Sequence, residues 1–191
     1  VDFILKQPLL PLLEWGGVFL PLALHSVLGL YYTFNSKQNI GQYGYQRNWM
    51  YWLQRITGII TFAYIIFHLA TTRFSFDDGQ KAHMFDSMVA LFAANPWMVW
   101  VYILGVVASC FHLCNGIWGF CIMWGITVTR KTQRAVWLGA MGMFVALSIM
   151  GSTSALKLGG IITSELGDPA QKLEQLREPK GAGSTDQSAS R

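Results

Sequence analysis

The sequence predicts an all-α transmembrane helical bundle with four spanning helices, on the basis of its charge content and spacing. Asp, Glu, Lys and Arg make up 13% of the 191 residues, about half the share in a typical soluble domain. No acidic residue occurs between Glu14 and Asp77, or between Asp86 and Glu165. Each gap is long enough for several apolar segments of the roughly 20 residues that span a bilayer. We therefore expect residues 1–160 to form a membrane bundle and residues 161–191 to form a polar C-terminal tail.

Four apolar segments have spanning length. They cover about 12–32, 49–72, 97–126 and 136–158. The third is long enough to tilt or to project beyond the bilayer, and Pro96 stands just before it, where proline tolerates a helix start. Aromatic residues that suit the membrane–water interface cluster at the ends of the spans: Tyr31, Tyr32, Trp49, Tyr51, Trp52, Trp97, Trp100 and Trp124.

The connecting loops predict the orientation, because cytoplasmic loops of membrane proteins are enriched in Lys and Arg. The loops near 35–48 and 127–135 contain no acidic residue and carry Lys37, Arg47, Arg130, Lys131 and Arg134. The loop between the second and third spans mixes basic residues with aspartates. We expect the first two loops to be cytoplasmic. The net charge of +4 thus reflects membrane topology and does not predict nucleic-acid binding.

Histidines are the candidate functional residues, since ionisable side chains inside a membrane are costly to bury and mark functional sites. His25, His68 and His112 each lie inside a different predicted span, whereas His83 lies in the outer loop. A single such histidine is often satisfied by a hydrogen bond between helices. Three histidines on three helices favour ligation of a cofactor metal, here haem iron.

The depths of these histidines predict how they pair. At about 1.5 Å per residue, His25 lies about 14 Å from the inner end of its helix, and His112 lies about 18 Å from the inner end of its own. We therefore expect His25 and His112 to be the two axial ligands of one haem. His68 lies about a dozen ångströms nearer the outer surface. Its partner is either Met150, a thioether at similar depth, or a histidine on a helix that this sequence lacks.

Arg55 and a set of glycines have two interpretations each. Arg55 either reaches a haem propionate from within its helix or extends its charge to the interface. The glycines either make room for a flat cofactor or serve ordinary packing of helices through small residues: Gly16, Gly17, Gly29, Gly105, Gly116, Gly119, Gly139, Gly142 and Gly151. Three cysteines in one apolar stretch predict no disulfide framework.

Two motifs give the sequence a resemblance to a known family. The runs GQYGYQRNWMYWLQRITGIITFAYIIFHLATTR (41–73) and FHLCNGIWGFCIMWGITVT (111–129) resemble the single-chain, five-helix, di-haem cytochrome b subunit of succinate:quinone oxidoreductases from menaquinone-using bacteria. The resemblance covers about residues 12–155. It implies a multi-pass protein of the bacterial cytoplasmic membrane that anchors an FAD flavoprotein and an iron–sulfur subunit of a succinate dehydrogenase or fumarate reductase.

The same resemblance implies roles for individual residues. His25 and His112 match the ligands of the inner of two b haems, and His68 matches one ligand of the outer haem. The other ligand lies on the family's first helix, which this sequence lacks, so we expect a segment preceding Val1, or another chain, to supply it. Menaquinone is the implied substrate, and the chain itself does not act on succinate. Two other hypotheses stay open: a cytochrome b anchor of another quinone-linked dehydrogenase, and a haem-free transport or assembly protein.

Overall fold

A computed structural model describes residues 7–77, 80–81 and 83–162. Within these residues the protein has helices and no strand, and the prediction of an all-α membrane bundle is confirmed. Beyond residue 162, the predicted C-terminal tail lies outside the described residues. Four helices are long and apolar enough to cross a membrane: α1 (Leu10–Asn35), α2 (Gln46–Thr71), α4 (Trp97–Met123) and α5 (Arg130–Leu158).

The long helices begin and end where local chemistry dictates. α5 begins at Arg130, earlier than its apolar run predicts, because the Thr129 side chain caps it by accepting the backbone N–H of Thr132 at 3.2 Å. α4 ends at Met123, and Gly125 follows with a φ of 68°. Glycine takes this left-handed conformation without steric cost, which ends the helix.

A short helix, α3 (Met84–Ala94), lies between α2 and α4 and was not predicted. Its 11 residues are too few to span a bilayer. It buries Met88, Val89 and Phe92, and two of these join a core cluster with Tyr102 of α4. The connection between α2 and α4 is therefore packed onto the bundle.

Packing within the bundle is uneven. α4 is the central helix and packs along much of its length against both α5 and α2. α1 packs lightly, mainly against α2, and its side chains are largely exposed. In a closed four-helix bundle the first and last helices are also neighbours, but the described part of the chain has no extended α1–α5 contact. The sequence did not predict this peripheral position of α1.

Side-chain contacts tie the helices together at the two ends of the bundle. At one end the Arg47 side chain donates to the Gln133 side chain, which joins the two basic loops. At the other end Arg73 forms a two-point ion pair with Glu14, at 2.8 and 3.1 Å. The two basic loops therefore lie at one end of the bundle, as the up-and-down topology requires. We call the half of the bundle nearest these loops the inner half, and the opposite half the outer half.

α1 widens into a π-helix at Leu13–Phe19, near its outer end. Pro21 follows two residues after the end of this segment, and a proline ring clashes with the carbonyl of the residue four positions earlier. The wider turn relieves this clash, and such π segments occur frequently at functional sites. Glu14, the partner of Arg73, lies within it.

Candidate functional site

The structure brings His25 of α1 and His112 of α4 together. Their ring centroids are 6.1 Å apart, and the ring planes cross at 79°. An imidazole nitrogen binds a transition metal at about 2 Å, so two imidazoles on opposite sides of one ion have centroids about 6 Å apart. The separation therefore suits two axial ligands of a single metal.

His112 is held in one tautomer by the backbone of α2. Its Nδ1 lies 3.0 Å from the carbonyl oxygen of Gln54. A carbonyl can only accept, so Nδ1 carries the proton, and Nε2 is left as the nitrogen with a free lone pair. A histidine that ligates a metal typically donates its other ring N–H to such a carbonyl.

Gly58 sets the distance between His112 and α2. A Cβ at this position would lie 2.9 Å from Cε1 and 3.2 Å from Nδ1 of the His112 ring. Only glycine lets the imidazole lie this close to the helix backbone. The position was not among the glycines noted in the sequence.

A polar network on the inner side of His112 locks α2 to α4. The Gln54 side chain donates to the His112 carbonyl at 3.0 Å. The Asn115 amide donates to Gln54 Oε1 at 2.7 Å and to the Met50 carbonyl at 3.0 Å. Asn115 is only 4% exposed, and buried amide groups of this kind fix the register of neighbouring helices through their hydrogen bonds.

His25 is held less firmly than His112. It lies on the exposed side of α1, and within the described residues its ring contact is with His112. Its place opposite His112 therefore depends on how α1 docks, and α1 is the lightly packed helix.

His68 lies at a separate level, in the outer half of the bundle. Its Nδ1 is 3.1 Å from the Tyr102 hydroxyl, and its ring lies beside Tyr64. Tyr102 and His112 are ten residues apart on α4, which corresponds to about 15 Å along the helix. The structure thus separates His68 from the His25–His112 pair, as the depth estimate predicted.

The structure also places the remaining candidate residues, namely Met150, His83 and the glycines noted in the sequence. Met150 is 63% exposed, which does not favour it as a partner of His68. His83 is exposed, next to the start of α3. Of the glycines noted in the sequence, three would meet a side chain of a neighbouring helix if they carried a Cβ, whereas the others would meet nothing within 4 Å. The three are Gly105, Gly116 and Gly151.

Arg55 is buried at the inner ends of α1 and α2, with 8% of its surface exposed. Its guanidinium donates to the hydroxyls of Ser36 and Tyr51 and stacks over the Tyr51 ring at 4.1 Å. Within the described residues it has no acidic partner. A buried cation among neutral acceptors favours a nearby anion, whereas the hydrogen bond to Ser36, the residue that follows α1, directs the guanidinium towards the helix end, as extension to the interface would.

The donor set fits a metal that brings its own equatorial ligands. Within the described ranges no group of three or more His, Cys, Asp and Glu side chains could hold a metal ion. The inner site instead offers two imidazoles. Haem iron takes four nitrogens from its porphyrin and needs only axial ligands from the protein. The residues present therefore fit a b-type haem.

Several of the site residues were missed from the sequence, although a signal for them exists. On α2, polar, aromatic and small residues recur every three or four positions, which places them on one helix face. We call this face the α2 stripe: Gln54, Gly58, Thr61, Tyr64, His68 and Thr71. It meets α4 in antiparallel order through the pairs His68–Tyr102, Tyr64–Gly105, Gly58–His112 and Gln54–Asn115.

The chain is similar over most of its length to known membrane subunits. The family model described as the succinate dehydrogenase/fumarate reductase transmembrane subunit matches residues 34–151. The succinate dehydrogenase cytochrome b558 subunit of Bacillus subtilis (strain 168) is 45% identical over 139 residues, which cover 73% of this chain and 68% of that protein. No solved structure matches the chain.

Proposed function

Because the chain belongs to the succinate dehydrogenase/fumarate reductase transmembrane subunits, we propose that it carries electrons between an iron–sulfur subunit and menaquinone. In this proposal it is the membrane cytochrome b subunit of a succinate:quinone oxidoreductase in the bacterial cytoplasmic membrane. The flavoprotein that holds FAD acts on succinate, and this chain anchors it through the iron–sulfur subunit.

The observation that carries the proposal is the His25–His112 pair, two imidazoles from separate helices at a spacing that suits one metal ion. His25 and His112 would hold the inner haem. His68 would hold an outer haem together with a ligand from outside the described residues. Bound b-type haem supplies a one-electron redox couple at each level.

The protein's own groups orient these ligands. The Gln54 carbonyl keeps the proton on Nδ1 of His112, which leaves Nε2 as the nitrogen that can act as a neutral ligand. Gly58 and the Asn115–Gln54 bond keep α2 close to α4 at this level.

Arg55 completes the inner site in this proposal. It lies one helical turn inward of Gly58 on α2, and Gly58 touches the His112 ring. Its guanidinium is buried and lacks an acidic partner among the described residues. We assign it to a haem propionate, since a guanidinium pairs with a carboxylate through two parallel hydrogen bonds.

The two basic loops form the docking face for the soluble subunits. They lie at the same end of the bundle, joined by Arg47 and Gln133, and they carry no acidic residue. The positive-inside rule places this end in the cytoplasm, and an acidic surface on the iron–sulfur subunit would complement it.

The purified complex tests this function directly. We expect the flavoprotein to copurify and the dithionite-reduced complex to show b-haem absorption. His112→Ala should remove about half of that absorption, because it takes a ligand from one haem of two. It should also stop menaquinone reduction by succinate while a soluble electron acceptor is still reduced.

His83→Ala is the matched control, because His83 is exposed in the outer loop and should change neither signal. A complex without haem absorption would favour a haem-free transport or assembly protein. Copurification with a dehydrogenase that does not oxidise succinate would contradict the assignment of partner.

A further inference from the structure

Beyond its role as a ligand, His68 belongs to a chain of hydroxyl groups. Its Nδ1 lies 3.1 Å from the Tyr102 hydroxyl, and that hydroxyl lies 3.3 Å from Oγ1 of Thr71. Thr71 Oγ1 in turn lies 2.9 Å from the carbonyl oxygen of Phe67. The imidazole is therefore connected through two hydroxyls to the backbone of its own helix.

Proton counting limits how this chain can be arranged. A threonine hydroxyl and a phenol have one proton each, whereas a carbonyl has none. The Thr71 hydroxyl has two backbone carbonyls within reach as acceptors, those of Phe67 at 2.9 Å and His68 at 3.3 Å. When its proton goes to one of them, its oxygen accepts from Tyr102. The Tyr102 proton then goes either to Thr71 or to Nδ1 of His68, and these two arrangements require opposite tautomers of the histidine.

We propose that Thr71 and Tyr102 are positioning residues that select the tautomer of His68 in which Nε2 is the metal ligand. Tyr102 donates to Thr71 and accepts from Nδ1–H of His68, which leaves the Nε2 lone pair for iron. This inference rests on the proposed function, because ligation through Nε2 requires the proton on Nδ1. An accepted hydrogen bond also makes the imidazole more basic and thereby tunes the metal.

Thr71 is essential to this arrangement although no hydrogen bond joins it to the imidazole. Among the described residues, the hydrogen-bond partners of the Tyr102 hydroxyl are His68 and Thr71. Without the Thr71 oxygen, the phenol proton has only Nδ1 of His68 as an acceptor. It would then favour the tautomer with the proton on Nε2, which cannot bind iron.

The Tyr102 ring is fixed independently of its hydroxyl. The residue is 5% exposed, and its ring meets Tyr64, Phe67 and Phe92 in edge-to-face contacts with centroids 5.5, 6.2 and 4.9 Å away. Such contacts hold an aromatic ring whatever its substituent. Tyr102→Phe therefore removes the hydroxyl and keeps the packing.

A redox titration of the haem absorption in the assembled complex tests this arrangement of Thr71, Tyr102 and His68, which we call the hydroxyl relay. Tyr102→Phe should retain the outer haem and raise its midpoint potential, because the ligand loses a hydrogen bond that made it more basic. Thr71→Val should shift the same midpoint or lower the outer haem content. The double variant should match Tyr102→Phe alone, with its haem retained, because no phenol proton then competes for His68.

Thr72→Val is the control variant. The Thr72 hydroxyl donates to the His68 carbonyl at 2.5 Å and has no hydrogen bond to Tyr102, so its loss should leave the midpoint unchanged. The hydroxyl relay is contradicted if Thr71→Val leaves the midpoint and content of the outer haem as unchanged as Thr72→Val does. It is also contradicted if the midpoint shifts of Thr71→Val and Tyr102→Phe add in the double variant. His68→Ala separates the two claims. An outer haem that survives this substitution contradicts the proposed function. If the outer haem is lost in His68→Ala but keeps its content and midpoint potential in Thr71→Val, only the proposed role of Thr71 and Tyr102 is contradicted.

Discussion

The inner and outer halves of the bundle orient their histidines by different means. In the inner half a backbone carbonyl of α2 accepts from Nδ1 of His112. In the outer half a phenol supported by a threonine faces Nδ1 of His68. A carbonyl can only accept, whereas a phenol can accept or donate. The inner ligand is therefore set by helix spacing, and the outer ligand is set by side-chain chemistry.

This difference predicts which substitutions affect each half. No side-chain substitution removes the Gln54 carbonyl, so the inner half should respond to changes in the distance or register of α2 and α4. The outer half should respond to loss of a hydroxyl and to anything that displaces its aromatic cluster. Two glycines lie on the α2–α4 contact, Gly105 in the outer half and Gly58 in the inner half. Substituting either one should disturb its own half and leave the other unchanged.

Gly105→Ala should have the largest effect and should act on the outer half. A Cβ at Gly105 would overlap the Tyr64 ring, and Tyr64 packs on both His68 and Tyr102. We expect the complex to lose about 1–3 kcal/mol of stability, as overpacked cores do. Thermal unfolding and redox titration should show an outer haem that is lost or shifted beside an unchanged inner haem. A change confined to the inner haem would contradict this.

Gly58→Ala should have a somewhat smaller effect and should act on the inner half. The new methyl group would lie 2.9 Å from Cε1 of His112, so the imidazole must move away from α2 and from the Gln54 carbonyl. We expect a loss of about 1–2 kcal/mol and a shifted or missing inner haem in the same titration. Gly119→Ala is the control, because nothing lies within 4 Å of its Cβ position. If Gly58→Ala and Gly119→Ala had the same effect on stability and on the inner haem, the argument from helix spacing would be wrong.

Asn115→Leu should weaken the register of the inner half without touching His112. It removes the bonds to Gln54 and to the Met50 carbonyl. Hydrogen bonds between helices in membranes contribute about 0.6 kcal/mol each on average, so we expect a loss of about 1 kcal/mol. Thermal loss of the inner haem absorption should occur at a lower temperature. Ser148→Ala is the control, since the buried Ser148 hydroxyl has no partner among the described residues.

The Glu14–Arg73 pair should contribute least. The two side chains are 25% and 41% exposed, and exposed ion pairs are worth about 0.2–1 kcal/mol. A double-mutant cycle with Glu14→Gln and Arg73→Gln should give a coupling energy in that range, with haem content unchanged. A coupling energy well above it would mean that this pair, rather than the histidines, holds α1 in place.

The sequence predicted the features that depend on one helix at a time. Charge gaps located the four spans, and the rise per residue placed His25 and His112 at one depth and His68 at another. It did not predict contacts that depend on how α2 and α4 rotate against each other. α4 is too uniformly apolar for its hydrophobic residues to define the rotation. Gln54, Gly58, Thr71, Tyr102 and Asn115 were therefore missed, although the α2 stripe contains a signal for three of them.

Haem stoichiometry in three variants tests most directly whether His25 and His112 share one metal ion. We would measure haem per cytochrome chain in the assembled complex for His25→Ala, His112→Ala and the double variant. If the two residues share an iron, each single variant loses one haem and the double variant loses no more. Loss of a further haem in the double variant, or full haem content in either single variant, would contradict the account.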